Sequence, residues 1–159
     1  MPYRMHSQYL HRLFLRNDLA AARFRVAGKP VALGDIDRPV FMLGTETDHV
    51  APWRSVYKLH FLSDAEITFV LTTGGHNAGV VSPPGHPHRS YRVRVRTRGG
   101  KYTDPELFLA QSERRTGSWW PQWARWLAGH SGAPVAPPPM GLPGHATLGP
   151  APGRYVTMR

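Results

Sequence analysis

The chain has 159 residues, enough for one domain around one hydrophobic core. It contains no cysteine, which excludes disulfides, thiolate metal sites and a thiol nucleophile of its own. Twenty Lys and Arg against ten Asp and Glu leave a net charge of +10, which permits a polyanionic partner without requiring one, and no apolar stretch approaches the roughly 18 residues of a membrane span. The Arg-rich first 25 residues imitate an organelle transit peptide, but their later part reads better as structure. With no secretory leader apparent, the expected compartment is the cytoplasm.

In chain order, Ser7 is placed to cap a helix from Gln8 to about Leu19, with Leu10, Leu13, Phe14 and Asn17 on one face and Arg12 and Arg16 on another. Phe24-Arg25-Val26 and Val31-Ala32-Leu33 flank Ala27-Gly28-Lys29-Pro30, which predicts a small hairpin whose second arm is confined to an edge by Pro30. Val40-Phe41-Met42-Leu43 is an uninterrupted apolar run, the pattern of a strand buried on both faces of a parallel sheet. Gly44-Thr45-Glu46-Thr47 closes it, and Asp48 and His49 follow in the loop. Pro52 and Trp53 open a helix running to about Leu62, with Val56, Leu59, His60 and Leu62 as its buried stripe. His60 is accordingly read as a packing or surface residue rather than a ligand.

Ile67-Thr68-Phe69-Val70-Leu71 repeats the strand pattern, and Thr72-Thr73-Gly74-Gly75 leads directly into His76. The interval between Asp48 and His76 leaves room for one helix to cross between two parallel strands. Side chains just beyond the carboxyl ends of such strands stand where the sites of open α/β sheets gather. An acid after one strand and a histidine after the next is also the tail of a nucleophile–acid–histidine triad in α/β-hydrolase order. In that arrangement the imidazole takes the nucleophile's proton, while the carboxylate fixes the ring's tautomer and stabilises its charged form. No strand–nucleophile–helix elbow is legible upstream.

Further on, Arg92-Val93-Arg94-Val95-Arg96-Thr97-Arg98 alternates charge with small residues, and Arg89 to Lys101 holds six basic residues and no acid. This fits a solvated edge strand or loop protected by charge, with contact to a polyanion as the competing reading. His86-Pro87-His88 has metal-like spacing but no acidic or sulfur neighbour, and no metal site is expected there. Thr103-Asp104-Pro105-Glu106 opens another helix. Trp119, Trp120, Trp123 and Trp126 crowd a further short helix around Pro121, mainly as core. Gly129-His130-Ser131-Gly132-Ala133 lacks the last glycine of a nucleophile box and follows no strand, so Ser131 reads as the opening of a linker. Between Ser131 and Pro150 lie six prolines and four glycines. The expected organisation is thus a body at 1–130, a linker at 131–150 and a short tail at 151–159.

Taken together, Asp48-His49-Val50-Ala51-Pro52-Trp53, His76-Asn77-Ala78-Gly79-Val80 and Pro83-Pro84 resemble the C-terminal part of the polyhydroxyalkanoate synthases, nearest the class using short-chain monomers. The resemblance extends through Ser90-Tyr91, Gly117-Ser118-Trp119-Trp120-Pro121 and Ala151-Pro152-Gly153-Arg154-Tyr155-Val156, and upstream through Tyr9-Leu10, Asn17 and the hairpin. It departs at Asn77, where the family usually carries an aliphatic residue, and in the basic run from Arg92 to Lys101.

What the resemblance implies is an α/β-hydrolase fold, here its C-terminal portion, and a Cys-His-Asp triad in which His76 is the base and Asp48 the acid. His49 beside the acid becomes a supporting residue, and the family's cysteine and its elbow would lie before Met1. Members transfer 3-hydroxyacyl groups from 3-hydroxyacyl-CoA onto a growing polyester as dimers at the surface of cytoplasmic granules, with no added cofactor. The expectation is therefore a chain inactive by itself that needs an N-terminal half or a cysteine-bearing partner. The alternatives are a non-catalytic module associated with the granule or a partner, half of a split synthase or hydrolase, and, more remotely, a nucleic-acid binder acting through Arg92 to Arg98.

Overall fold

The computed structural model describes residues 1–145 and 148–158. Two compact units divide them, residues 1–129 and residues 130–159. Secondary structure of the first unit is mixed α/β: a four-stranded sheet with helices, plus a separate two-stranded ribbon.

The N-terminal helix differs from the sequence expectation. Helix α1 spans Tyr3–Tyr9 with Pro2 as its N-cap, not Ser7, and continues as a π-helical segment over Leu10–Leu15. The wide turn closes on the bond from the Arg16 amide to the His11 carbonyl, five residues back. The helix does not reach Leu19 because Asn17 adopts φ of 47°, and Asp18 turns inward. The Asp18 carboxylate, almost fully buried, accepts from Arg23 Nε at 3.1 Å, while its carbonyl receives the amides of Arg23 and Phe24.

The hairpin forms with a tighter turn than expected. Strands β1 (Phe24–Val26) and β2 (Lys29–Val31) pair antiparallel, with Arg25 opposite Pro30. Ala27 and Gly28 alone make the turn at φ of 47° and 78°, the double left-handed geometry of a two-residue hairpin. Pro30 therefore lies inside the second strand, and Leu33 moves out into a 3₁₀ turn, Leu33–Asp35.

The two apolar runs are β3 (Val40–Thr45) and β4 (Ile67–Thr72), parallel and in register from Val40 opposite Ile67 to Thr45 opposite Thr72. Burial on both faces belongs to β4, every residue of which is buried; β3 is the sheet edge and only half of it is buried. The crossover between them breaks at Lys58 into α2 (Trp53–Tyr57) and α3 (Leu59–Leu62). Its buried residues are Trp53, Tyr57 and His60, so the apolar stripe is more aromatic than the expected Val56, Leu59 and Leu62. Strand alternation divides the core. Met42, Ile67, Phe69 and Leu71 pack with Trp53, Tyr57 and Phe108 on one face, whereas Val70, Tyr91 and Trp119 pack with Phe41, Leu43 and Val93 on the other. Each fully buried side chain of this kind contributes about 1.5–3 kcal/mol.

The basic run is in part the charged edge strand and loop expected. Residues 92–96 have a strand neighbour on one side only, Arg94 and Val95 are exposed, and residues 97–101 lie beyond the strand. The arginine side chains, however, have partners that the sequence did not show. The strand is β5 (Ser90–Arg96), antiparallel to β4 along the full length of the latter and joined to β6 (Arg115–Thr116) at Ser90 and Tyr91. Arg92, Arg94 and Arg96 share the face opposite Leu71, Phe69 and Ile67, beneath the helices. There Arg92 and Arg96 donate to orphan carbonyls. Arg96 donates to the carbonyls of His60 at 2.6 Å, Ala65 at 2.9 Å and Ser63. Arg92 donates to those of Leu109 and Ser112, at the end of α4 (Pro105–Gln111), and Arg94 to the Gln111 side chain. The alternating charge thus satisfies helix C-termini.

Helix α4 starts as expected, with the Asp104 carboxylate accepting from the Glu106 and Leu107 amides at 2.9 Å. Helix α5 (Trp120–Gly129) ends the first unit. In the second unit the described residues are exposed throughout, with one isolated bridge between Leu142 and His145 and a 3₁₀ turn over Tyr155–Thr157.

Candidate active site

Past the last paired residues of β3 and β4, the parallel ladder runs on for two more bonds. The Glu46 amide donates to the Thr72 carbonyl at 2.9 Å and the Thr47 amide to the Gly74 carbonyl at 3.1 Å. These bonds carry the turn bearing Asp48 alongside the loop bearing His76. At the meeting point His76 Nδ1 and Asp48 Oδ2 are 2.9 Å apart. Asp48 and His76, separated by 28 residues in sequence, are neighbours in space.

The acid is held from every side. Its Oδ1 accepts the amides of Val50 and Ala51, each at 2.8 Å, and Oδ2 accepts the Thr45 hydroxyl at 3.3 Å as well as the imidazole. Only 8% of the Asp48 side chain is exposed, against 48% of His76. The Ala51 amide draws the carboxyl down to about 2; burial opposes this, and the hydrogen bond from His76 and the Val50 amide add to it. Asp48 is thus a fixed anion at neutral pH. Because an anion can only accept, His76 carries its proton on Nδ1, which leaves Nε2 as the basic nitrogen. That ring nitrogen makes no hydrogen bond among the described residues.

The histidine loop is shaped by close backbone approach. Gly74 turns at φ of 110°, a conformation that favours glycine. Gly79 is pressed so closely on Thr45 that a Cβ there would stand 2.6 Å from the Thr45 methyl and 3.0 Å from the Gly75 carbonyl oxygen. The Gly79 amide donates back to Gly75 at 2.9 Å, and Val80 and Val81 both donate to the Asn77 carbonyl.

Tryptophans then clamp the outgoing arm. Trp119 Nε1 donates to the Gly79 carbonyl at 3.1 Å and Trp120 Nε1 to the Val80 carbonyl at 3.0 Å, while Ser118 Oγ donates to the Ser82 carbonyl. The sequence reading treated these tryptophans as core. Trp119 does pack there, but both indole N–H groups also hold the loop, a role that the donor at the edge of each indole could have signalled. Two arginines flank the same end of the sheet. Arg114 bridges Glu46 at 2.8 Å and the Ser90 hydroxyl at 2.9 Å, and the Arg89 guanidinium lies against Gly74.

The other candidates lie apart. His49 is exposed in the Asp48 turn and has no hydrogen bond to either member of the pair. His60 is buried beneath the helices. His86 and His88 are exposed, and among the described residues no group of three or more His, Asp or Glu is placed to hold a metal ion. Ser131 sits in the exposed second unit.

A mixed sheet that brings a carboxylate and an imidazole together beyond two parallel strands marks an α/β protein with its polar site in the usual crevice. No protein-family model matches the chain. Individual relatives do. The chain is 39% identical over 150 residues to the poly(3-hydroxyalkanoate) polymerase subunit PhaC of Cupriavidus necator, 36% over 159 residues to that of Rhizobium meliloti, and 32% over 160 residues to poly(3-hydroxyalkanoate) polymerase 2 of Ectopseudomonas oleovorans. These matches take in 93%, 100% and 100% of the chain but only 25%, 25% and 28% of the relatives, so the chain spans about a quarter of their length. Over nearly its whole length the chain is similar to the C-terminal part of these poly(3-hydroxyalkanoate) polymerases.

Proposed function

We propose that this chain carries the acid–base part of a polyester synthase of α/β-hydrolase fold, with His76 as base and Asp48 as the acid that orients it. The observation carrying this reading is the 2.9 Å contact between His76 Nδ1 and an Asp48 carboxylate whose other oxygen is fixed by two amides. His76 Nε2 would take the proton of a cysteine thiol, and the thiolate would attack the carbonyl carbon of 3-hydroxyacyl-CoA. The C–S bond to coenzyme A breaks, and its thiolate leaves with the proton returned by the imidazolium. The same base then accepts the proton of the attacking hydroxyl as the acyl group passes to the growing polyester. His49, exposed at the rim, is a supporting residue in this scheme.

Since the chain has no cysteine, the thiol must be supplied by a polypeptide segment other than these 159 residues. A positioned base contributes on the order of 10²–10⁴-fold, and only when there is a nucleophile to activate. The purified chain is therefore expected to release no coenzyme A from 3-hydroxybutyryl-CoA; measurable release would overturn the split of functions. Among the described residues no helix is long and apolar enough to cross a membrane, and the setting proposed is the cytoplasm, at the granule surface, as part of a dimer.

A competing reading is a non-catalytic module that binds the granule or a partner chain. It draws on the exposed Tyr3, Met5, Phe14 and Leu15 of an N-terminal helix that buries nothing. Co-expression with a cysteine-bearing N-terminal synthase fragment separates the two. Restored polymer synthesis that disappears with Asp48→Asn and with His76→Ala supports the acid–base reading, whereas synthesis indifferent to both substitutions supports the module.

A further inference from the structure

Away from the Asp48–His76 pair, on the helix-covered face of the sheet and toward the start of β4, lies a cavity of about 170 Å³. Its inner wall is aromatic: His60, Phe69 and Phe108. At the rim stand Arg94 and Lys101, and no acid lines it. Arg96 also borders it but spends its terminal nitrogens on three backbone carbonyls, and Arg94 gives one nitrogen to Gln111. Lys101 is exposed and makes no ion pair among the described residues.

His60 is the unusual member. The residue is 7% exposed, and its Nε2 is buried with no hydrogen-bond partner. Buried polar side-chain atoms nearly always have a partner, and one left without costs about 1–3 kcal/mol. Desolvation, helped by the Arg96 cation, holds this imidazole down at about 4, so the ring is neutral at pH 7. A recess that sets an aromatic wall beside a few convergent polar groups has the form of a small-molecule site. Its volume is close to that of a roughly 150 Å³ cavity known to hold benzene.

We propose that this recess is a second ligand site, taking a compact carboxylate with an aromatic or branched apolar body. The body would lie against Phe69, Phe108 and the His60 ring, and the carboxylate would meet Lys101 and Arg94 at the rim. The assignment does not depend on what Asp48 and His76 do.

The test is an NMR titration of the full chain with benzoate, following the His60 and His76 ring signals, with benzyl alcohol and inorganic phosphate at matched ionic strength as comparators. Benzoate is expected to shift the His60 signals saturably while leaving those of His76 in place. Benzyl alcohol, which keeps the ring and loses the charge, should bind about 10-fold or more weakly, the lower end of what a charge-assisted hydrogen bond is worth. Lys101→Gln, at an exposed position, should weaken benzoate by a similar factor without moving the unfolding midpoint. Unsaturable shifts, equal binding of benzyl alcohol, the same response to phosphate, or indifference to Lys101→Gln would each overturn the proposal.

Discussion

Gly79→Ala tests the geometry of the acid–base pair without touching either member. No left-handed backbone is required at this position, so the effect of the new methyl is steric. It would stand 2.6 Å from the Thr45 methyl and 3.0 Å from the Gly75 carbonyl oxygen, where carbon atoms settle at about 3.5–4.0 Å. Relief therefore needs a movement of about 1 Å. Thr45 is 3% exposed and its hydroxyl is bonded to Asp48, so it has little room to yield. The part that moves is the loop, which carries His76 and is anchored through Gly79 to Trp119. Displacing it by 1 Å stretches the 2.9 Å contact with Asp48 beyond hydrogen-bonding distance. Overpacking of this kind costs about 1–3 kcal/mol, and a misplacement of that size in a reacting group costs on the order of 10²-fold in rate. The assays are urea unfolding, the downfield NMR signal of the hydrogen-bonded Nδ1 proton of His76, and polymer yield in the co-expression system. Gly129→Ala serves as control, since a Cβ there meets nothing within 4 Å. If Gly79→Ala leaves both the unfolding midpoint and the Nδ1 proton unchanged, the close approach does not position His76.

Stability should fall as pH is lowered from about 6.5 to about 4. The unfolded chain protonates His60 in that window and the folded chain does not, so the unfolded state binds the extra proton, a loss of up to about 3 kcal/mol. Urea midpoints across the window should flatten in His60→Phe, and a parallel fall in both proteins would refute the assignment. Below that range Asp48 takes over: its carboxyl sits at about 2 when folded, so its contribution is lost as pH drops from the ordinary carboxylate value toward 2. Arg96→Met strips the donor from three carbonyls around the end of α3, and a loss of about 2–4 kcal/mol is expected in the same assay. A loss under about 0.5 kcal/mol would return the basic strand to the role of a solvated surface.

Two strands and the pair beyond them were legible in the residues because dense apolar runs, ended by Gly and Thr, carry their own boundary marks. Local chemistry also placed the start of α4, through Asp104 and Pro105, and the existence of the hairpin, through the glycine in Ala27-Gly28-Lys29-Pro30, though not the two-residue length of its turn. Neighbour order was not legible. Reading Val40 to Leu43 as a strand buried on both faces missed that it lies at the sheet edge, since apolar content records what a strand can bury and not what stands beside it. The charged strand β5 was legible, but the partners of its arginines were not. Alternating charge describes a solvated face unless a layer of helices presents bare carbonyls to it, and only the packing of α3 and α4 supplies those carbonyls. The helix expected to reach Leu19 stops early because Asp18 finds Arg23, a partner that exists only once the chain has turned.

Taken by itself, then, the sequence determined the residue types at the two strand ends, the missing thiol, and the similarity to the poly(3-hydroxyalkanoate) polymerases. Tertiary structure decided the 2.9 Å between Asp48 and His76, the tryptophan N–H groups that hold the loop, and the recess around His60. The division has a physical cause: propensity and periodicity act over a few neighbours, while hydrogen-bond distances between residues 28 or 40 positions apart are set by how the layers pack.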